Sequence, residues 1–132
     1  MKNTDYTILI IDDESDACFL LEKILHSQHI KSISALNLAK ASKILAYLKP
    51  EIIFLDNHIE DKLGIDFICE LKNISAKSKI VIITAQDSFA LRQAAFNKGA
   101  DSFIGKPFTK NKIFETIHEL SNLPVGKKVD EI

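Results

Sequence analysis

Tyr6-Thr7-Ile8-Leu9-Ile10-Ile11-Asp12-Asp13-Glu14 is the stretch that decides the fold. Its β-branched and apolar run shows no polar alternation, which is the pattern of a strand buried on both faces. It then ends abruptly in three acids. Directly after them, Ala17, Leu20, Leu21, Ile24 and Leu25 fall at helical spacing, so an amphipathic helix over 14–27 follows.

The same strand-then-helix pattern repeats along the chain. Residues 31–35 form a weaker second strand, and Leu38, Ala41, Leu45 and Leu48 give a second helix that Pro50 stops. A third strand over 51–55 is followed by an irregular loop and a helix over 64–74. A fourth strand covers 80–83 (Ile-Val-Ile-Ile). Asp87 or Ser88 caps a fourth helix whose inner face is Ala90, Leu91, Ala94 and Ala95, and Gly99 ends it. After a short strand over 102–104, Thr109 caps a last helix carrying Ile113, Ile117 and Leu120. Residues 1–123 make one domain, and 124–132 read as a short tail or the start of a linker.

Strict alternation of five strands with five helices predicts an α/β fold: a doubly wound, five-stranded parallel sheet covered by helices on both faces. The length of 132 residues and a hydrophobic content of 46% suit a single closed core. With 17 Lys plus Arg against 18 Asp plus Glu, the charge balance predicts no general binding to nucleic acid or membrane surfaces. The longest apolar runs fall far short of the roughly 18 to 20 residues that a membrane span needs. Two cysteines, Cys18 and Cys69, form no CxxC pair and are assigned to packing; a soluble, cytoplasmic protein is expected.

In such a sheet the functional crevice lies beyond the carboxyl ends of the strands. There the chain places Asp12-Asp13-Glu14 after the first strand, Asp56 after the third, Thr84-Ala85 after the fourth and Lys106-Pro107 after the fifth. Asp12, Asp13 and Asp56 together without a counter-ion raise one another's pKa. A hard divalent cation resolves that conflict, and few carboxylates with room for water and phosphate oxygens suit Mg2+. An Asp carboxylate can accept a phosphoryl group as an acyl phosphate, with Lys106 and the Thr84 hydroxyl offsetting the charge. Singly, each residue also has an ordinary reading: Asp13 and Glu14 as first-turn acids, Asp56 as a turn residue, Thr84 as a strand-end threonine, Lys106 as a solvated loop lysine. Their conjunction at four strand exits favours phosphoryl transfer to Asp56.

These residues resemble, in order and spacing, the receiver domain of two-component response regulators, from Tyr6 to about Leu123. Ile10-Ile11-Asp12-Asp13-Glu14 is similar to the family's acidic pair, and Phe54-Leu55-Asp56 to its phosphoacceptor strand. Gly64 matches a glycine eight residues further on, Ile83-Thr84-Ala85 the switch hydroxyl, and Lys106-Pro107-Phe108 the lysine segment. The resemblance implies a flavodoxin-like sheet in the order 2-1-3-4-5, with Mg2+ organised by Asp12, Asp13, Asp56 and the backbone carbonyl of His58. It also implies that Asp56 receives phosphate from a histidine kinase or exchanges it with a histidine phosphotransfer protein. Thr84 then moves toward the phosphoryl group, and Phe103 is the aromatic that turns inward behind it. A downstream protein is expected to dock on the face made by the fourth helix, the fifth strand and the fifth helix, where Phe89 and Phe96 either surface or are partly buried.

The chain departs from the family in the loop after Asp56, where Asn57-His58-Ile59-Glu60 replaces the usual Met-Pro pair. Without the proline a more mobile loop is expected. His58 and Gln86 occupy the positions that in the family tune the lifetime of the acyl phosphate. His58 as a transition-metal ligand or as a phosphate acceptor is disfavoured, because no second histidine stands at ligand spacing. His26, His29 and His118 join no constellation. The tail is too short for an output module, so a stand-alone receiver or a piece of a longer chain is expected, its own phosphorylation and dephosphorylation the only catalysis. The runner-up is a receiver-like interaction module that works without phosphorylation. A flavin or nucleotide binder fits worse, because Asp12, Asp13 and Glu14 repel an anion at the first strand exit.

Overall fold

The computed structural model describes residues 8–121. Along the chain run β1 (Ile8–Ile11), α1 (Ser15–His26), β2 (Ser32–Ala35), α2 (Leu38–Leu45), β3 (Ile52–Asp56), β4 (His58–Ile59) and β5 (Lys62–Leu63). A 3-10 turn (Gly64–Phe67) then leads into α3 (Ile68–Ile74), followed by β6 (Lys79–Thr84), α4 (Phe89–Asn97), β7 (Ser102–Gly105) and α5 (Lys110–Leu120). Five strands form one parallel sheet in the order β2-β1-β3-β6-β7. With the two short strands β4 and β5 set aside, this is the expected order 2-1-3-4-5.

Residue alternation along these strands assigns the side chains to two cores. Ile8, Ile10, Ile52, Phe54, Val81, Ile83 and Ile104 pack under α1 and α5, against Leu21, Ile24, Leu25, Ile113 and Ile117. Leu9, Ile11, Ile53, Leu55, Ile80, Ile82 and Phe103 pack on the opposite side, against Ala41, Leu45, Ile68, Leu71 and Ala95 from α2, α3 and α4. Because both faces are covered, the strands need apolar residues at every position, which is why their sequences show no alternation. Fully burying one such side chain stabilises the fold by about 1.5 to 3 kcal/mol.

Three helix starts follow from side-chain capping. Asn37, Ser88 and Thr109 each accept a backbone N–H three residues on, from Lys40, Leu91 and Lys112. Of the two candidates for α4, Ser88 is therefore the cap. Asp87 serves elsewhere.

Some expectations need correction. Leu20 on α1 points to solvent, and Cys18 fills the inner face instead, because the buried stripe runs Cys18, Leu21, Ile24 and Leu25. Cys69 is exposed rather than packed, lying on the outer side of α3 from Ile68 and Leu71. Ala90 is also exposed, so α4 rests on Ala95, with Leu91 and Ala94 half-buried. The irregular loop contains an antiparallel hairpin in which His58 faces Leu63 and Ile59 faces Lys62. Tyr6, Thr7, Leu123 and the tail over 124–132 lie outside the described residues. No described helix is long and apolar enough to cross a membrane.

Candidate functional site

The sheet register brings the strand exits together. Asp12 follows β1, Asp56 ends β3, Thr84 ends β6 and Lys106 follows β7. Asp12 is held by its own N–H donating to the Ala35 carbonyl at 3.1 Å, and its Oδ1 accepts the Glu14 N–H at 3.0 Å. Asp56 Oδ2 accepts the His58 N–H at 3.2 Å. Asp13 is more exposed, and its Oδ2 accepts the Glu60 N–H at 2.7 Å, which ties the first strand exit to the hairpin.

One carboxylate oxygen from each of Asp12, Asp13 and Asp56 lies within 4.8 Å of the others. Among the described residues the one ammonium that reaches in is Lys106, with Nζ 3.3 Å from Asp56 Oδ1 and 3.6 Å from Asp12 Oδ2. Burial pushes the Asp56 carboxyl above its ordinary range and the Asp12 charge adds to the shift, while Lys106 only partly offsets them. For Lys106, burial works against the ammonium, but Asp56 and Asp12 outweigh it and hold the group above its usual pKa. Three carboxylates against one ammonium leave an excess of negative charge. The donor set, oxygen only and gathered around a common point, therefore fits a hard divalent cation.

Thr84 is fully buried, and its Oγ1 accepts the Gln86 N–H at 3.0 Å, while its carbonyl accepts the Lys106 N–H at 2.8 Å. Strand alternation puts Thr84 on the same side of the sheet as Ile82, whose register partner on β7 is Phe103. Phe103 is 3% exposed and lies in the core beneath α4. The structure thus brings together Asp12, Asp13, Asp56 and Lys106, with Thr84 beside them and Phe103 behind Thr84. The His58 side chain is exposed, and Phe89 and Phe96 both surface on α4, at 77% and 44% exposure.

The loop lacking a proline is held by hydrogen bonds at both its ends. Asn57 is buried, its side-chain oxygen accepts the Ile65 N–H at 3.0 Å, and its own N–H donates to the Ile83 carbonyl at 3.0 Å. The Gly64 N–H in turn donates to the Asn57 carbonyl at 2.6 Å. The sequence marks Asn57 only as part of the replacement for the Met-Pro pair, although Asn in a loop is a residue whose side chain bonds nearby backbone. Asn57→Ala leaves the buried Ile65 N–H unpaired, so it is expected to cost about 1 to 3 kcal/mol. A urea unfolding curve checks this, and an unchanged midpoint would show that Ile65 finds another acceptor.

Comparison with known proteins decides what this geometry belongs to: the model of the response regulator receiver domain matches residues 8–118. The chain belongs to the response regulator receiver family. It is 33% identical to the sensory transduction protein LytT of Enterococcus faecalis, over 94% of this receiver and 51% of that protein. It is 30% identical to the chemotaxis protein CheY of Thermotoga maritima, over 86% of this receiver and 96% of that one. The receiver thus spans about half the length of the Lyt-type relatives. A response regulator from Burkholderia pseudomallei, solved with a phosphorylated aspartic acid, a calcium ion and citrate, superposes with a TM-score of 0.77. The two are 27% identical, and the match covers 83% of this receiver and 65% of that chain. The receiver is a signalling domain of two-component systems.

Proposed function

We propose that Asp56 is the phosphoacceptor, that Mg2+ is its cofactor, and that a histidine kinase or histidine phosphotransfer protein is the donor. The observation that carries this is the crowding at the end of β3, where the Asp56 carboxylate faces Asp12, Asp13 and Lys106. A phosphoryl group bound to imidazole nitrogen would be attacked by an Asp56 oxygen; the O–P bond forms as the N–P bond breaks, and the imidazole leaves with the electron pair. Lys106 Nζ stands beside the acceptor oxygen and would offset charge on the equatorial phosphoryl oxygens. Carboxylates of Asp12, Asp13 and Asp56 with the His58 carbonyl would hold Mg2+, which when bound neutralises the charge brought together by acceptor and phosphate.

Thr84 then gives up its bond from the Gln86 N–H to reach the phosphoryl group, and Phe103 is the aromatic whose buried position belongs to the activated state. The output face is the surface of α4, β7 and α5, where Phe89 and Phe96 supply exposed aromatic anchors for a partner protein. No substrate is turned over beyond the receiver's own phosphorylation and dephosphorylation. Free Cys18 and Cys69 suit a reducing, cytoplasmic setting.

Incubation with acetyl phosphate and Mg2+, followed by intact mass measurement, tests the reading. One phosphoryl adduct, labile to base and absent when EDTA is present, is the expected outcome. A folded protein that gains no adduct, or gains the same adduct without metal, would overturn it.

A further inference from the structure

Phe103 carries a cover made of other residues. The Arg92 guanidinium, from α4, lies over its ring with the central carbon 4.8 Å from the ring centroid. Asp87 grips that guanidinium: Nε and Nη2 donate to Oδ1 at 3.2 and 3.0 Å, and Nη2 also donates to Oδ2 at 3.1 Å. Asp87 in turn occupies the space above Gly105 on β7, where a Cβ would stand 2.6 Å from its Oδ2 and 2.9 Å from its Cβ. Gly105, two residues beyond Phe103, is therefore what lets the clamp close.

The clamp is also joined to the site. Asp87 directly follows Gln86, whose N–H bonds the Thr84 hydroxyl. An exposed ion pair alone is worth little, but a guanidinium held in a fixed plane over an aromatic face adds a directional contact. That contact is made with the ring in its buried position, so it favours that position.

We propose that Arg92, held by Asp87, is a positioning residue that keeps Phe103 buried and sets how much of the activated conformation the receiver populates before phosphorylation. The proposal rests on the reading of Phe103 as the switch aromatic. Linkage fixes its direction: whatever stabilises the buried ring also tightens binding of a phosphoryl group or its mimic at Asp56. The contact is worth a shift of roughly two- to fivefold in that equilibrium.

The test compares Arg92→Gln and Asp87→Asn in the full chain, each with Phe103 present and in a Phe103→Leu background. The first readout is the Phe103 ring resonances by NMR without metal or phosphate; the second is the beryllofluoride midpoint in Mg2+. Both variants are expected to move the ring resonances and to weaken beryllofluoride binding by roughly two- to fivefold. Neither is expected to change the midpoint once the ring is gone, because the contact they break no longer exists. Ring resonances that stay put, or a midpoint shift that persists in the Phe103→Leu background, would overturn the proposal. If Arg92→Gln unfolds, Arg92→Lys, which cannot grip both Asp87 oxygens, carries the same expectation. A wild type that binds no beryllofluoride sinks the receiver reading instead, and the ring resonances then decide the clamp alone.

Discussion

Asp56→Asn is expected to take up no phosphoryl group and, in metal-free buffer at neutral pH, to melt higher than the wild type. The first result follows from chemistry, since a carboxamide oxygen does not form the acyl phosphate. The second follows from charge. Burial and the Asp12 carboxylate raise the Asp56 pKa in the folded state. A group raised in this way stabilises the fold at pH values below its unfolded pKa, and that contribution is lost as pH rises through the folded pKa. At neutral pH the Asp56 charge therefore opposes folding. Removing it relieves that opposition, so the melting temperature is expected to rise. Mg2+ should narrow the gap by stabilising the wild type more than the variant. Intact mass and differential scanning calorimetry check the two halves separately. Uptake that persists in Asp56→Asn would move the acceptor to another residue, and a lower metal-free melting point would mean that Lys106 more than balances the crowding.

Gly64→Ala is the second change with a large expected effect. Gly64 begins the turn into α3, and a Cβ there would overlap the Asp56 carbonyl oxygen and lie 3.1 Å from Asn57 Cα. Both neighbours are backbone atoms at the buried end of β3 and the residue after it, so no side chain can rotate aside. The turn must move, or β3 must. An overpacking cost of about 2 to 3 kcal/mol follows. Because the displaced backbone carries Asp56, the proposed acceptor, the phosphorylation rate with acetyl phosphate is expected to fall roughly a hundredfold. Urea unfolding and time-resolved mass spectra measure the two effects. A variant as stable as the wild type that is phosphorylated as fast would show that the turn gives way without passing its shift to Asp56.

The legible features were those carried by long apolar runs and by acids placed at their ends. Ile8 to Ile11, Ile52 to Leu55 and Ile80 to Ile83 are buried on both faces, so composition alone marks them as central strands. Asp12, Asp56, Thr84 and Lys106 could be placed because each adjoins such a strand, and a parallel sheet aligns its strand ends. The β4–β5 hairpin was not legible, since two residues per strand are too few to show a period. On α1 and α4 the periodicity places Leu20 and Ala90 on the inner face, whereas both are exposed. Both lie at the margin of an apolar stripe, where small rotations of the helix decide exposure. The Asp87, Arg92 and Gly105 arrangement left no trace in any pattern, because it depends on three elements meeting in space.

The shallow seat of α4 carries a last consequence. Ala95 is its one fully buried residue, whereas Asp56 ends a strand packed on both sides. Heritable change therefore meets unequal resistance in the two places. On the proposed reading, a substitution at the exposed Phe89 or Phe96 rewrites the address to which the signal is sent and leaves the core intact, while a substitution near Asp56 puts the message itself at risk. A chain built in this way can acquire new listeners by descent without relearning its chemistry.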